Sequence, residues 1–316
     1  MSEKRLITVV GATGAQGGGL ARAILSDVEG GFAVRAVTRN PDSVTAKALE
    51  EQGAEVVAAD LDDVDSLKAA FKGAYGAFCV TNFWEHFSPE KEKAQAGNLA
   101  EAAAAEDLSH VIWSTLEDTR KWVPLDDDRM PTLMERYKVP HFDAKGESDS
   151  KFTEAGVPTT FLLTSFYWDN LIGFGMEPKR NEDGKLDFYL PMGEARLPGI
   201  AAEDIGKCAY GVFKEGGDYV GTTVGIAGAH PTGAEMAAAL TDAFGEPVTY
   251  VPVPHDVFRG MGFPGAEDLG NMFQFKEEFN EYFTKARDLE LSQKLNPELM
   301  NFKQWLSVNR DRIPVE

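Results

Sequence analysis

Three glycines at a spacing of three residues follow the first apolar run of the chain. Gly11, Gly14 and Gly17 stand in the stretch GATGAQG, directly after LITVV and at the head of a predicted helix. Glycines at these positions permit a tight turn and let backbone N–H groups approach a pyrophosphate, which the positive end of the helix also attracts. A strand-to-helix turn without a ligand would use the same residues. The place of the turn, at the opening of a βαβ unit near the N-terminus, favours a dinucleotide site.

A guanidinium, rather than a carboxylate, follows the second predicted strand. A site that prefers NAD usually carries an acidic residue there for the ribose hydroxyls, whereas this chain reads Thr38-Arg39-Asn40. The planar fork of arginine suits a 2'-phosphate because it donates several hydrogen bonds and stays charged. The alternative is a surface arginine paired with a nearby carboxylate such as Asp42. The missing acid favours NADP(H) over NAD(H).

The third and fifth predicted strands also end in polar residues. After the third strand, the carboxylate of Asp60 and the backbone of Leu61 can contact the edge of an adenine; a helix N-cap is the alternative, which the next aspartates fit better. Ser114 and Thr115 end the fifth strand, where a hydroxyl can face a nicotinamide or hydrogen-bond a substrate carbonyl. Either hydroxyl could equally cap local backbone groups.

Five aromatic residues fall in loops expected over the same edge of the sheet: Phe83, Trp84, Phe166, Tyr167 and Trp168. Together they could wall a pocket for an aromatic ligand. A role in the core or in an interface is at least as compatible with the sequence for any one of them.

The elements that would position these residues alternate in the order of a parallel α/β sheet. Strands are predicted near 6–10, 33–38, 55–58, 76–80, 109–114 and 159–163, and helices near 16–28, 42–52, 63–72, 89–106 and 142–155. This alternation is typical of a doubly wound parallel sheet. The charged start of the 89–106 helix favours exposure there.

The pattern changes after residue 164, where aromatics, glycines and prolines crowd the stretch SFYWDNLIGFGMEPKR. Further elements are predicted near 221–228, 232–245, 248–254, 266–278 and 298–309. We therefore expect a cofactor domain over 1–164 and a smaller mixed α/β C-terminal lobe for a substrate or partner over 165–316, with a soft boundary that part of the chain crosses.

Composition excludes several classes of protein. The 316 residues are 43% hydrophobic and 26% charged, as in an ordinary globular protein. The net charge is -20, and no segment of the sequence is a basic block. The protein is therefore a poor candidate for direct binding to nucleic acid. The five histidines and two cysteines, Cys79 and Cys208, show no spacing for a metal or a disulfide framework. Cys79 is expected to fill a buried strand.

The sequence also predicts a compartment. The N-terminus lacks the apolar region of a signal peptide, and no segment approaches the 18 or so uninterrupted apolar residues of a membrane-spanning helix. We therefore expect a cytoplasmic protein without a membrane partner.

Longer stretches of the chain resemble one known family. VVGATGAQGGGLARAIL, VTRNP, GAYGAFCVTNFWE, HFDAKGE and GFPGAEDLGNMFQF are similar, over nearly the whole chain, to the NmrA-like family of atypical short-chain dehydrogenase/reductases, and specifically to its redox-sensor branch. The resemblance implies a Rossmann-type domain with NADP(H) at the carboxyl edge of the sheet. The family contains cofactor-sensing regulators that bind partner proteins and NADPH-dependent reductases, including quinone reductases.

The resemblance also implies which residues touch the cofactor. At the phosphates these are Gly11, Thr13, Gly14, Gln16 and Gly17; at the 2'-phosphate, Thr38 and Arg39; at the adenine, Asp60; and after the fourth strand, Thr81 and Asn82. Lys145 would reach the nicotinamide ribose.

The catalytic tyrosine of the orthodox enzymes is absent. Their Tyr-x-x-x-Lys pair donates the proton that accompanies hydride transfer, but the helix after the fifth strand carries His141 four residues before Lys145. The two share a helix face if the helix has started by His141, and the ordinary pKa of imidazole, near 6.5, suits a proton donor. The alternative is a helix-start residue directly after Pro140. A literal Tyr-x-x-x-Lys begins at Tyr210, too far along the chain and in a helix where it is expected to pack.

Two functions remain open, and the sequence slightly favours the first. The first is an NADP(H)-binding redox sensor that changes shape or partners with cofactor occupancy, which requires differential affinity. The second is an NADPH-dependent reductase of a small aromatic, quinone or carbonyl compound. In that enzyme His141, Ser114, Thr115 or water would supply the proton, and Lys145 would orient the ribose. A protein partner or a homodimer is compatible with both.

Overall fold

The computed structural model describes residues 4–315. Strands and helices alternate through the first half: β1 (Arg5–Val10), α1 (Ala15–Ser26), β2 (Phe32–Thr38), α2 (Val44–Glu51), β3 (Glu55–Ala58), α3 (Val64–Phe71), β4 (Gly76–Cys79), α4 (Pro89–Ala105), β5 (His110–Thr115), α5 (Pro140–Glu154) and β6 (Thr159–Leu163). All six predicted strands are present, each within one residue of its predicted bounds.

The second half is built from shorter elements. These are β7 (Phe166–Tyr167), α6 (Asn170–Gly173), β8 (Lys179–Arg180), β9 (Leu186–Leu190), β10 (Gly199–Ile200), α7 (Ala202–Lys214), β11 (Thr223–Gly225), α8 (Gly233–Phe244), β12 (Val248–Pro252), α9 (His255–Arg259), α10 (Ala266–Glu278), α11 (Asn280–Lys285), α12 (Leu289–Leu295) and α13 (Phe302–Asn309). The sequence does not predict β9, because its parallel partner β12 lies far along the chain, with Leu186 opposite Val248.

Seven parallel strands form the main sheet in the order β11-β6-β5-β4-β1-β2-β3. Helices bury both of its faces: Leu20 and Ile205 belong to the core on the side of α1 and α7, and Leu99 and Phe152 to the core on the side of α4 and α5. This is the predicted doubly wound, Rossmann-type sheet. Because its strands are parallel, their carboxyl ends lie along one edge, where ligands bind in such folds.

Two elements from the second half return to this sheet. β11 pairs with β6, with Thr223 opposite Phe161, and α7 packs against α1. A Cβ on Gly206 of α7 would clash with the backbone nitrogen of Leu20, so glycine permits the close approach of the two helices. The chain after residue 165 thus contributes to the first sheet, and the division into two units at residues 164 and 165 stays a prediction.

The rest of the second half packs around its own core. Buried side chains from β9, α10 and α13 meet there, among them Phe188, Phe273 and Trp305. The two thiols lie in the first sheet and in a helix packed on it: Cys79 in β4 and Cys208 in α7 are buried free cysteines, and burial raises the pKa of each. Within residues 4–315, no helix combines the length and the apolar character needed to span a bilayer.

Candidate functional site

The turn between β1 and α1 has glycine where the backbone requires it. Gly11 has a φ of +65°, in the left-handed region that favours glycine. A Cβ on Gly17 would lie 2.5 Å from the carbonyl oxygen of Gly11. Gly14 is the N-cap of α1, and no side chain of the described residues caps that helix. The first N–H groups of α1 therefore face the sheet edge without a side-chain acceptor, which makes a cradle for an anion.

Gln16 joins this turn to two strands. Ser114 Oγ at the end of β5 donates to Gln16 Oε1 at 2.8 Å, and Gln16 Nε2 donates to the hydroxyl of Tyr167 in β7. Burial raises the pKa of Tyr167. Ser114 and Gln16 thus lie together, as predicted for one edge of the sheet, while Tyr167 brings a phenol to the glycine turn.

Lys145 lies in a buried polar cluster. Its Nζ donates to the carbonyl oxygen and to Oγ1 of Thr81, at 3.1 and 2.8 Å, and pairs with Glu92 Oε1 at 2.9 Å. The Glu92 side chain has no exposed area, and its Oε2 lies 3.4 Å from His86 Nε2. His86 Nδ1 accepts the N–H of Ser88, so the ring proton of a neutral His86 sits on Nε2 and faces Glu92.

Glu92 is a site residue that the sequence interpretation missed. The charged start of α4 was expected to be exposed, and for Glu92 this is wrong. The sequence did contain a signal for its burial, because Glu92 stands at helical spacing with the apolar Ala96, Leu99 and Ala103. All four residues are buried in the structure. Glu92 therefore belongs to the buried face of α4, where Lys145 supplies its counter-charge.

His141 is the second residue of α5, so the predicted helix start at residue 142 is two residues late. The helix has therefore started by His141, which places it one turn before Lys145. Its Nδ1 lies 2.6 Å from Oδ1 of Asp268, and its backbone N–H donates to Oδ2 of the same carboxylate at 3.1 Å. The His141 ring packs against Trp84, with 4.7 Å between centroids. Since Nδ1 is bound, Nε2 is the nitrogen left to act.

Asp268 comes from α10, and no local pattern in the sequence pairs it with His141. The carboxylate accepts from both the ring and the backbone at the start of α5. His141 is thus a helix-start residue, as the alternative interpretation held, and also half of a buried histidine–carboxylate pair.

Thr115 is directed into the protein. Its Oγ1 donates to Asp149 Oδ1 at 2.6 Å, and the same oxygen accepts Trp113 Nε1–H at 3.0 Å. Burial raises the pKa of Asp149 to about 7. The hydroxyl of Thr115, which is buried, therefore ties β5 to α5, and its predicted part in proton transfer stays a prediction.

Arg39 is exposed at the end of β2 and pairs with Glu85. The pair raises the pKa of Arg39 and lowers that of Glu85, in both cases first through their hydrogen bond. Arg39 is thus a surface arginine paired with a carboxylate, as the alternative held, but the carboxylate is Glu85 from a distant part of the chain. Asp42, the example given for that alternative, pairs with Lys47 at 3.3 Å.

Asp60 remains exposed beside this pair. Its Oδ1 accepts the N–H of Asp62 at 2.9 Å, and Asp63 is the N-cap of α3. Asp60 therefore does not cap the helix, and this is a condition for its predicted contact with an adenine. The backbone of Leu61 accepts a hydrogen bond from Asn98 at 2.7 Å, so its carbonyl is already engaged.

A cavity of about 400 Å³ opens beside the start of α5, with Pro140 and Asp268 but not His141 in its lining, together with the charged Arg259 and Glu267. Its apolar walls include Phe83, Phe87 and Phe263. Two aromatics of the predicted pocket wall lie elsewhere: Phe166 and Trp168 are buried in the core of the second half. Phe166 lies in β7, which pairs with β10. Both residues therefore take the core role that the sequence left open, and not the role in a pocket wall.

No group of three or more metal-ligating side chains is gathered anywhere in residues 4–315.

Comparison with known proteins gives this site a context. The model of the NmrA-like family matches residues 3–306. An NmrA-like family domain-containing oxidoreductase, FrzB from Cladobotryum sp, is 30% identical over 292 residues, 86% of this chain and 84% of that protein. An NAD(P)H azoreductase from Xenophilus azovorans is 28% identical over 264 residues, 82% of each chain.

Solved structures share the fold. NmrA, a negative transcriptional regulator, superimposes with a TM-score of 0.78 at 24% identity, over 96% of this chain and 95% of its own. The Citrobacter sp. triphenylmethane reductase complexed with NADP(H) gives 0.74 at 19% identity, over 95% and 98%. The family match extends from the glycine turn through α10, and this chain belongs to the NmrA-like family.

Proposed function

We propose that this protein binds NADP(H) and reduces a small apolar compound of aromatic, quinone or carbonyl type. The observation that carries the proposal is the His141–Asp268 pair. Asp268 lines a cavity with three phenylalanines, and His141 lies one helical turn before Lys145 on α5. The names of the relatives support it, since FrzB is called an oxidoreductase and the Xenophilus protein an NAD(P)H azoreductase.

The residues of the sheet edge fit a dinucleotide. The glycine turn offers backbone N–H groups to a pyrophosphate, because within residues 4–315 no side chain caps the start of α1. Arg39 is exposed after β2 and offers its fork to a 2'-phosphate. Ser165, directly beyond β6, has a buried hydroxyl without a hydrogen-bond partner in residues 4–315. Buried polar groups are rarely left unpaired, and this hydroxyl suits the carboxamide of a nicotinamide.

Each polar group has a task in this proposal. The bound cofactor would supply the hydride. Lys145, already fixed by Thr81 and Glu92, would hold the ribose hydroxyls. His141 would donate a proton from Nε2 to the substrate oxygen or nitrogen, while Asp268 stabilises the imidazolium and keeps the ring oriented. The phenylalanines that line the cavity favour a flat, apolar substrate.

The test is NADPH oxidation with a panel of quinones, azo dyes and aromatic carbonyls. His141→Gln is expected to lower kcat by about 100-fold, since it removes a general acid, while the Kd for NADPH changes little. His255→Gln is the matched control, because His255 also pairs with a carboxylate, Glu277 at 2.9 Å, but this pair includes no residue of α5, the helix that carries Lys145. Absence of turnover with every compound, or equal kcat for both variants, would count against the reductase.

Redox sensing is the second candidate, and one observation favours it. Glu85 ties Arg39 to the segment of residues 83–87, and Phe83 and Phe87 of that segment line the cavity. A ligand that displaces Glu85 from Arg39 would therefore release the segment of residues 83–87, and with it part of an apolar surface. Calorimetry with NADP+ and NADPH, together with measurement of assembly state, tests this; equal affinities without a change in assembly would defeat it.

A further inference from the structure

The ion pair between Arg39 and Glu85 bridges the glycine turn. In the sheet β1 lies between β2 and β4. Arg39 directly follows β2, whereas Glu85 belongs to a short 3₁₀ turn, Phe83–Glu85, that follows β4. The pair therefore joins the two neighbours of β1 at the carboxyl edge, where β1 passes into the glycine turn. Any ligand that reaches from this turn toward β2 meets both charges.

The bond between the two side chains leaves most of the guanidinium open. Only Nη1 of Arg39 bonds Glu85, and within residues 4–315 no hydrogen bond engages Nη2 or Nε. The side chains are 64% and 47% exposed. An exposed pair of this kind is weak and screened by water, so a ligand of sufficient charge can displace the carboxylate.

The surrounding charges make the carboxylate unfavourable for a phosphate. Besides Glu85, the carboxylates of Asp60 and Asp62 act on Arg39. Lys91 is the other nearby cation, and it pairs with Asp62 at 2.8 Å. Three carboxylates thus face two cations, and a 2'-phosphate entering here would meet like charge on Glu85 while competing with it for Arg39.

Glu85 also replaces the acid that the end of β2 lacks. Sites that take NAD place a carboxylate where it accepts from the ribose 2'-hydroxyl, and here a carboxylate from the turn after β4 reaches Arg39, directly after β2. We propose that Glu85 determines cofactor specificity: it accepts from the 2'-hydroxyl of NAD(H) and weakens the grip of Arg39 on the 2'-phosphate of NADP(H). This inference rests on the proposed cofactor site and names the residue that tunes it.

The test uses adenosine fragments, so that nicotinamide binding and turnover do not enter. Calorimetric Kd values for 2',5'-ADP and 5'-ADP are measured for the wild type, Glu85→Gln and Glu101→Gln. Glu101 pairs with Lys68 at 2.7 Å on the surface between α3 and α4 and is the matched control. In Glu85→Gln, 2',5'-ADP is expected to bind about 10-fold tighter, because a like charge is removed, and 5'-ADP more weakly, because its 2'-hydroxyl loses a carboxylate acceptor. Glu101→Gln keeps the wild-type ratio.

Two results would overturn the inference and leave the cofactor site standing. One is a ratio of the two Kd values unchanged by Glu85→Gln; the other is weaker binding of 2',5'-ADP, which would mean that Glu85 holds Arg39 in its binding position. Arg39→Ala tests the cofactor site separately from the role of Glu85, since the loss of the guanidinium should abolish any preference for 2',5'-ADP over 5'-ADP. If the wild type binds neither fragment, the cofactor site and the role of Glu85 both fail.

Discussion

The proposed cofactor groove is the carboxyl edge of the sheet between Arg39, after β2, and Lys145, in α5. Its two ends hold their charges differently. After β2, Arg39 and Glu85 pair with side chains that are 64% and 47% exposed. Near α5, Lys145 and Glu92 pair with side chains that are 10% and 0% exposed. A buried charge is destabilising once its partner is lost, whereas an exposed pair contributes little. One end of the groove can therefore exchange partners with a ligand, and the other holds its geometry in advance.

The buried end should be the more sensitive to removal of a partner. Glu92→Ala leaves the Lys145 ammonium buried with only Thr81 as acceptor, and we expect the free energy of unfolding to fall by about 3–5 kcal/mol. Urea unfolding at pH 7 measures it. Glu101→Ala, which removes an exposed carboxylate from the same helix, should show no measurable change.

A double variant sharpens this prediction. In Glu92→Ala/Lys145→Ala no buried charge remains unpaired, so the loss should be smaller than the sum of the two single losses. Additive losses would mean that the two residues do not stabilise each other, and the contrast between the two ends of the groove would then lose its physical basis.

A buried amine that forms no ion pair within residues 4–315 extends the comparison. Lys276 in α10 is 2% exposed, and its Nζ lies 5.4 Å from the ring centre of Phe283 and 5.5 Å from that of Phe142. Burial, and then Arg287, lower its pKa from 10.5 to about 7, against the attraction of Glu117.

Lys276→Met should therefore stabilise the protein at pH 7, by about 2–3 kcal/mol. The gain should shrink between pH 7 and 10.5, because there the folded amine is neutral while the unfolded one still binds a proton, so the wild type becomes more stable as the pH rises. Unfolding at several pH values measures this, with the exposed Lys303→Met as control. A gain that does not depend on pH would mean that packing, and not the charge, is responsible.

Asp149 provides a carboxylate with the opposite sign of pH dependence. Burial raises its pKa from 3.8 to about 7, so between these values the folded protein retains a proton that the unfolded chain has lost. Its contribution to stability is complete below pH 3.8 and is lost as the pH rises through about 7. Asp149→Asn should raise the free energy of unfolding by about 1–2 kcal/mol at pH 8, and the gain should vanish near pH 4.

The exposed Asp128→Asn is the control for this variant. In Asp149→Asn, the neutral amide oxygen can still accept hydrogen bonds from Thr115 and Trp113. A loss of stability at every pH would therefore show that those hydrogen bonds require the acid itself.

Features with a local pattern could be predicted from the sequence. The glycine turn and the six strands follow from spacing and alternation, and the position of Lys145 follows from the resemblance. Asp268 and Glu85 could not be predicted, because each reaches its partner from a distant part of the chain. A single sequence records which side chains can pair, but the fold decides which of them meet.

Phe166 and Trp168 illustrate the same limit in the opposite direction. Their aromatic side chains suited a pocket wall, but both are buried in the core of the second half, where β7 pairs with β10. Glu92 is an intermediate case, since its periodicity with Ala96 and Leu99 indicated a buried position, while its charge argued against it. Periodicity should have taken precedence, because a buried charge needs only one partner, and Lys145 provides it.

The smallest expected effect belongs to the exposed end. Glu85→Gln should change the free energy of unfolding by less than about 1 kcal/mol at pH 7, and the difference should diminish further in high salt, because water and ions screen the pair. Urea unfolding at low and high salt measures this. A loss comparable to that of Glu92→Ala would show that the bridge over the glycine turn is part of the folded core. The carboxylate would then be too firmly held to yield Arg39 to a phosphate, whereas a small, salt-sensitive change is what an exchangeable bridge requires.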